Sequence, residues 1–243
     1  MKQNKPKKTK NFKFKQFVIE GGYAGMAVST DGVLLGAWSR SSGRGQLLDI
    51  GTGTGLLALM CAQRFPQLEI IALDIDELAY QAAQRNVINS PWSERISVIH
   101  HPLSTFSHLA SSRLFDSIVC NPPYFNSGES AQDAHRATAR HTHQLSHYDL
   151  VQDIQRLLSQ SGKASLILPL AEGEHFITFV QQHQLFITRR CDVRPTSNKP
   201  VSRLLIELSK TEQACECSEL TIMHNAQYTA AFIALTHEFY LKM

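Results

Sequence analysis

At 243 residues, with 43% hydrophobic and 19% charged side chains, the chain has the composition of an ordinary globular protein, which excludes collagen-like, coiled-coil and disordered classes. Its longest uninterrupted apolar run, residues 56–62, is seven long against the ~18 that a membrane span requires, and the Lys-rich start lacks the apolar stretch of a secretory leader. The net charge of +3 conceals an asymmetry: residues 1–15 hold seven lysines and no acid, whereas residues 16–243 hold 17 basic against 21 acidic side chains. Five scattered cysteines (61, 120, 191, 215 and 217) do not form a disulfide framework and suit a reducing, cytoplasmic setting.

From residue 46 onward, short apolar runs alternate with helical patterns. The spacing predicts a strand over 46–50, then a helix over 55–64 in which Leu56, Leu59 and Met60 recur at helical intervals. A second strand is expected over 69–73 and a long helix over 76–89, stopped by Ser90-Pro91. Strands follow over 96–100 and over 115–120, the latter a continuous apolar run of the kind buried on both faces. A helix over 146–160 closes at Ser161-Gly162, and a strand over 164–168 and a helix over 172–183 come next. A last strand pair spans 185–193 and 201–208. Strands and helices taking turns in this way form βαβ units, so the expected fold is α/β: a parallel sheet with helices on both faces. Residues 121–145 make a connection far longer than the two to six residues a βα turn needs, and long loops at the carboxyl ends of parallel strands are where such folds build sites.

Three motifs carry chemistry. Asp49-Ile50-Gly51-Thr52-Gly53-Thr54-Gly55 is a Gly-rich turn between the first strand and its helix, where a Cβ would block tight turns and the close approach of a ligand. Its G-x-G-x-G spacing differs from the dinucleotide fingerprint G-x-G-x-x-G. The preceding carboxylate would repel a pyrophosphate but suits an ammonium group such as that of S-adenosylmethionine. A plain tight βα corner would use the same glycines. Asp74, 25 residues after Asp49, ends the second strand and is positioned to accept hydrogen bonds from ribose hydroxyls, while Asp76 suits the N-cap of the following helix. Third, Asn121-Pro122-Pro123-Tyr124 follows the buried fourth strand directly. Two prolines remove two backbone donors and hold the chain extended. The Asn121 amide oxygen and the Pro122 carbonyl then remain as acceptors for the two hydrogens of an exocyclic amine, freeing its lone pair for attack on a sulfonium methyl. Tyr124 supplies a face on which a base stacks for ~1–3 kcal/mol. Asn121, Pro122 and Tyr124 are the candidate catalytic residues.

On these residues the chain resembles class I S-adenosylmethionine-dependent methyltransferases of the amino-group branch. It is similar in particular to the bacterial tRNA(Val) (adenine-N6) methyltransferases, which modify the adenine at position 37, just 3′ of the anticodon. The resemblance runs from residue 12 to residue 243. It rests on Phe14-Lys15-Gln16-Phe17, the stretch 26–38 with Thr30-Asp31-Gly32-Val33-Leu34-Leu35-Gly36-Ala37-Trp38, the Gly loop, Ser90-Pro91-Trp92-Ser93-Glu94-Arg95-Ile96, Asn121–Tyr124, and an ending that joins Tyr228-Thr229-Ala230 to Phe239-Tyr240-Leu241. The Gly loop and the Asn-Pro-Pro-Tyr tetrad specify reaction type; the stretch 30–38 and the C-terminal match point to the narrower family. The resemblance implies that Phe14, Gln16, Met26, Thr30 and Leu34 lie near the cofactor, joined by Asp49, Gly51, Gly53, Gly55, Asp74 and Asn121. The charge asymmetry marks a basic arm over 1–15 and the chain pattern a single domain over 16–243; the resemblance implies that this domain is a Rossmann-like, seven-stranded, mostly parallel sheet with an antiparallel C-terminal strand, in which a cofactor-covering segment, 16–45, precedes the core. Without the resemblance, residues 30–38 read only as a helix capped by Thr30 or Asp31. One departure stands out: after the third strand the family carries an acid that reads the cofactor's adenine, and here that position is Pro102, following His100-His101.

The expected substrate contacts are basic. They comprise Lys7, Lys8 and Lys10 of the arm, Arg136 and Arg140 of the long loop, and Arg189, Arg190, Arg194, Lys199 and Arg203 around the last strand pair. His135, His141, His143 and His147 lack metal-ligand spacing, and methyl transfer from a sulfonium needs no metal, so none is expected. Cys215-Glu216-Cys217 has no partner pair and reads as inert. The expectation is therefore a monomeric enzyme that methylates adenine N6 in tRNA. Rival readings are a protein glutamine N5-methyltransferase, whose carboxamide nitrogen is equally unreactive, a guanine-N2 RNA methyltransferase, and a cofactor-binding RNA module without catalysis. The first of these carries a helical N-terminal domain, for which the 45 residues before the first strand leave little room.

Overall fold

The computed structural model describes residues 9–23, 28–110, 114–123 and 146–242. The chain opens with a small antiparallel hairpin, β1 (Phe12–Lys13) and β2 (Val18–Ile19), followed by α1 (Thr30–Trp38). The alternating part then runs β3 (Arg44–Ile50), α2 (Leu56–Arg64), β4 (Gln67–Asp74), α3 (Glu77–Ile88), β5 (Ile96–His100), α4 (Leu103–Leu109) and β6 (Phe115–Cys120). After the long loop come α5 (His147–Leu157), β7 (Leu158–Pro169), α6 (Leu170–Val180), β8 (Phe186–Thr196), β9 (Arg203–Ser209), β10 (Glu216–His224), β11 (Gln227–Tyr228) and α7 (Ala230–Thr236).

The sheet order is β11-β10-β8-β9-β7-β6-β3-β4-β5. Strands β5, β4, β3, β6 and β7 run parallel to one another, and β9 is antiparallel to both β7 and β8. Seven of these strands are the expected ones. The described sheet extends past them by β10, parallel to β8, and by the short β11. Alternate residues of the central strands enter two cores, one on each face: Leu47 and Val119 pack with α1, α2 and α7, while Leu48, Ile118 and Cys120 pack with α4, α5 and α6. In α5 the fully buried Leu150, Val151, Ile154 and Leu157 recur at helical spacing and dock that helix on the sheet.

Three elements differ from the sequence expectation. The helix over 146–160 stops at Leu157, and its last residues join β7, because Leu158 is needed in the core opposite Phe115. Helix α1 is capped by Ser29, whose side chain accepts from the Gly32 N–H, rather than by Thr30 or Asp31. The basic arm is also shorter than 1–15. Phe12 and Lys13 pair with β2, Phe14 is buried, and the Lys15 N–H donates to the Phe239 carbonyl, so residues 12–15 belong to the folded body.

Candidate active site

The carboxyl ends of β3, β4 and β6 lie side by side, since Ile50 pairs with both Leu73 and Cys120. The Gly loop leaves β3 at this edge with Gly51, Gly53 and Gly55 at φ of +68°, +59° and +85°, a region open to glycine and strained for other residues. A Cβ on Gly51 or Gly53 would meet nothing within 4 Å, so the loop leaves open space in which a ligand can approach backbone, whereas at Gly55 it would rest in ordinary van der Waals contact with Ala83 at 3.5 Å.

Two acids flank this space. Asp49 is completely buried. Its Oδ2 accepts from the Thr52 hydroxyl at 2.6 Å and from the Ala58 N–H at 3.0 Å, while Oδ1 has no partner among the described residues. Burial pushes its carboxyl up to about 7, partly offset by those two bonds. Asp74, largely buried, accepts from the Gly53 N–H at 2.7 Å and the Asp76 N–H at 2.9 Å, and burial raises its pKa as well. Asp76 caps α3 through the Ala79 N–H, as expected from sequence.

These groups fit S-adenosylmethionine. Asp49 offers a buried acceptor oxygen with no hydrogen bond, suited to an ammonium. Asp74 has acceptor capacity beyond two N–H donors, suited to ribose hydroxyls, and the glycines leave room above the loop.

Asn121 emerges from β6 one residue past Cys120, next to the start of the Gly loop. Helix α1 brings its first turn to the same place: a Cβ on Gly32 would lie 4.0 Å from Asn121 Nδ2 and 2.9 Å from Leu56 Cδ2. Gly32 is thus a positioning residue that the sequence reading did not single out. Pro122 is buried and Pro123 exposed. Tyr124 and Met26 lie outside the described residues, as do Lys7, Lys8, Arg136, Arg140, His135, His141 and His143.

The remaining candidates divide. Phe14 (1% exposed) and Leu34 (0%), expected near the cofactor, are packed into the core, and each also lines a cleft, Phe14 beside Gln16 and Leu34 beside Thr30. Phe14 stacks on Phe17 at 4.6 Å and sits near Phe12 and Tyr240, so it holds the N-terminal segment in place. Gln16 and Thr30 are exposed. Arg189, expected at the RNA surface, is held inside the body instead. It is buried over the face of Trp38 at 3.9 Å and paired with Glu207 at 3.1 Å, joining β8 to the end of α1. Arg190 is bonded to Asp192 and Glu174, each at 2.7 Å. Arg194 faces Glu219 at 3.6 Å, and Arg203 pairs with Asp31 at 2.8 Å. Lys10 and Lys199 are exposed. At the departure after β5, Pro102 caps α4, His100 stacks on Tyr80 and bonds Glu77, and the His101 N–H donates to the Asp74 carbonyl. No group of three or more metal-ligating side chains occurs among the described residues.

A family profile describing the methyltransferase small domain matches residues 31–154. A Vibrio parahaemolyticus protein named tRNA1(Val) (adenine(37)-N6)-methyltransferase is 53% identical over 235 residues, covering 97% of each chain. One of the same name from Photobacterium profundum is 48% identical over 238 residues, covering 96% of this chain and 99% of its own. The chain belongs to this methyltransferase family. Solved structures support the family fold at low identity. An Agrobacterium tumefaciens protein, assigned by prediction as an O-methyltransferase, superposes with a TM-score of 0.67 at 16% identity, covering 86% of this chain and 96% of its own. The glycopeptide N-methyltransferase MtfA in complex with S-adenosylmethionine gives 0.56 at 12% identity, covering 74% and 95%. The Gly loop, Asp74 and Asn121 of this chain are thus carried on a methyltransferase fold. Among the described residues, no helix is long and apolar enough to cross a membrane.

Proposed function

We propose that this enzyme transfers the methyl group of S-adenosylmethionine to the exocyclic N6 of the adenine at position 37 of a valine tRNA. The observation that carries this reading is the convergence at one sheet edge of Asn121, the open Gly loop and the buried Asp49 with its unpartnered oxygen. It is supported by relatives at 48–53% identity whose names state this reaction.

When bound, the cofactor supplies an electrophilic methyl group on a positively charged sulfur. Asp49 is placed to hold its ammonium and Asp74 its ribose. The chemical task left to the chain is to make a poor nucleophile reactive. Adenine N6 shares its lone pair with the ring; accepting its two hydrogens at the Asn121 side-chain oxygen and the Pro122 carbonyl favours a tetrahedral nitrogen with that pair free. Attack forms the N6–carbon bond as the carbon–sulfur bond breaks, and the extra proton on N6 then passes to water, so no strong base is required. The adenine must first leave its stack, at a cost of a few kcal/mol. Exposed Lys10 and Lys199 are positioned to hold phosphates.

The test is incubation with labelled S-adenosylmethionine and unmodified tRNA, followed by nucleoside analysis. Labelled N6-methyladenosine is expected, and Asn121→Ala should lower kcat at least a hundredfold with little change in cofactor affinity. Label in methylguanosine would move the target base. Label appearing only in added protein would replace the reading by a glutamine methyltransferase. Full activity of Asn121→Ala would remove the acceptor site from this edge.

A further inference from the structure

A second cleft opens on the same sheet edge, on the other side of α1. It has a volume of about 320 Å³, and Thr30, Asp31, Met223, Tyr228 and Arg203 are among its walls. The carboxyl ends of β7 and β8 and the start of β9 meet here, because Pro169 and Val193 both pair with Arg203. The first turn of α1 separates it from the acceptor site: Gly32 faces Asn121, while Thr30 and Asp31 face the cleft. A helix is ~10–12 Å across with its side chains, so the two sites are a nucleotide or two apart along a single strand.

The walls suit a nucleobase. Tyr228 is held by strand pairing opposite Met223 and rests on the buried Phe232 (ring centroids 5.0 Å, interplanar 27°), yet is 49% exposed. A large aromatic surface left half open at a cleft, with its orientation fixed by the backbone, is a stacking platform available without ordering cost. Arg203 is held by Asp31 at 2.8 Å and by the Ser202 carbonyl at 2.9 Å, which presents a planar cation of set orientation. Exposed Lys199, in the β8–β9 connection, adds positive charge to the same edge. The volume lies at the low end of the ~300–1,000 Å³ range of small-molecule pockets, which is room for one base and its sugar.

We infer that this cleft takes a nucleobase of the substrate RNA adjacent to the methylated adenine, stacked on Tyr228 and fixed beside Arg203. Such a subsite would hold the strand that flanks the target in place, a task for which the acceptor motif has no parts. The inference rests on the RNA reading given above.

The experiment measures methylation of a tRNA transcript in native form and with an abasic residue on either side of the target adenine. The proteins compared are wild type, Tyr228→Ala, Tyr228→Phe, and Met223→Trp, which fills the cleft from its wall. Binding of S-adenosylhomocysteine, followed by calorimetry, reports that each variant is folded. Tyr228→Ala and Met223→Trp should raise KM for tRNA roughly tenfold with a smaller effect on kcat, and Tyr228→Phe should restore most of the loss. One abasic position should cost wild type roughly tenfold and add nothing to Tyr228→Ala, since the two changes remove the same stack. An unaltered KM in both Tyr228→Ala and Met223→Trp, or an abasic penalty equal in wild type and Tyr228→Ala, overturns the subsite while leaving the enzymatic reading intact. A wild type that methylates no RNA overturns the reading beneath it, and the subsite with it.

Discussion

Asp49 shows how one side chain ties stability to ligand binding. Its carboxyl has an ordinary value of 3.8 and is raised to about 7 in the folded chain by burial. The native state therefore holds the proton more tightly than the unfolded one. The resulting stabilisation is complete below about pH 4 and is lost as pH rises through about 7. The ligand-free chain is accordingly expected to melt at lower temperature at pH 8 than at pH 5, and Asp49→Asn should flatten that difference; equal slopes in the two proteins would refute the assignment. A cation seated at Oδ1 favours the ionised form, so cofactor affinity should rise with pH through about 7. Calorimetry in buffers of different ionisation enthalpy should then show proton release on binding. At this scale the meeting of Asp49, the glycines and Asn121 at one end of the sheet was legible in the sequence. Asp49, the glycines and Asn121 are consecutive or nearly so within their motifs, and their roles depend on backbone geometry that local sequence sets. The Thr52 hydroxyl on Asp49 and the closeness of Gly32 to Asn121 were not legible, the latter because it joins residues 89 positions apart.

Elements explain why a charge read from sequence can mislead. Arg189, Arg190, Arg194, Lys199 and Arg203 form one basic neighbourhood on paper, but a strand sends alternate side chains to opposite faces and its neighbours then supply partners. Arg189 is thereby committed to Glu207, which is 2% exposed, and to the face of Trp38. Arg189→Ala should destabilise the protein by ~3–5 kcal/mol, because it strands a buried carboxylate whose next cation, Lys163, is 4.0 Å away. Denaturant unfolding would read this loss. Arg189→Lys is expected to recover little, since an ammonium lacks the planar fork that stacks and pairs together. Tight tRNA binding by the folded variant should persist, and its loss would return Arg189 to the RNA surface. Strand β10 escaped the sequence reading for a related reason. Only Leu220 of its nine residues is buried, so the two-residue apolar alternation that reveals a half-buried strand is absent.

For the whole molecule, the separation of a lysine-rich start from a mildly acidic body sets the expected salt response. Removing residues 1–8, which carry four lysines, should weaken tRNA binding and reduce the slope of log K against log salt by roughly 0.7–0.9 for each phosphate that the arm neutralises, with cofactor affinity unchanged. A truncated protein with the full-length slope would show that the arm does not touch RNA. The sequence by itself determined the α/β alternation, the Gly loop with its two acids and the Asn-Pro-Pro-Tyr tetrad, because each is a local pattern whose backbone consequence follows from residue type and spacing. Only the tertiary structure decided which basic residues are buried and which face solvent, that the sheet continues into β10 and β11, and that Tyr228, Arg203 and the first turn of α1 meet beside the acceptor site. Those outcomes depend on strand order and on contacts between distant residues, such as Thr30 and Tyr228, 198 positions apart at one cleft, and no local spacing specifies them.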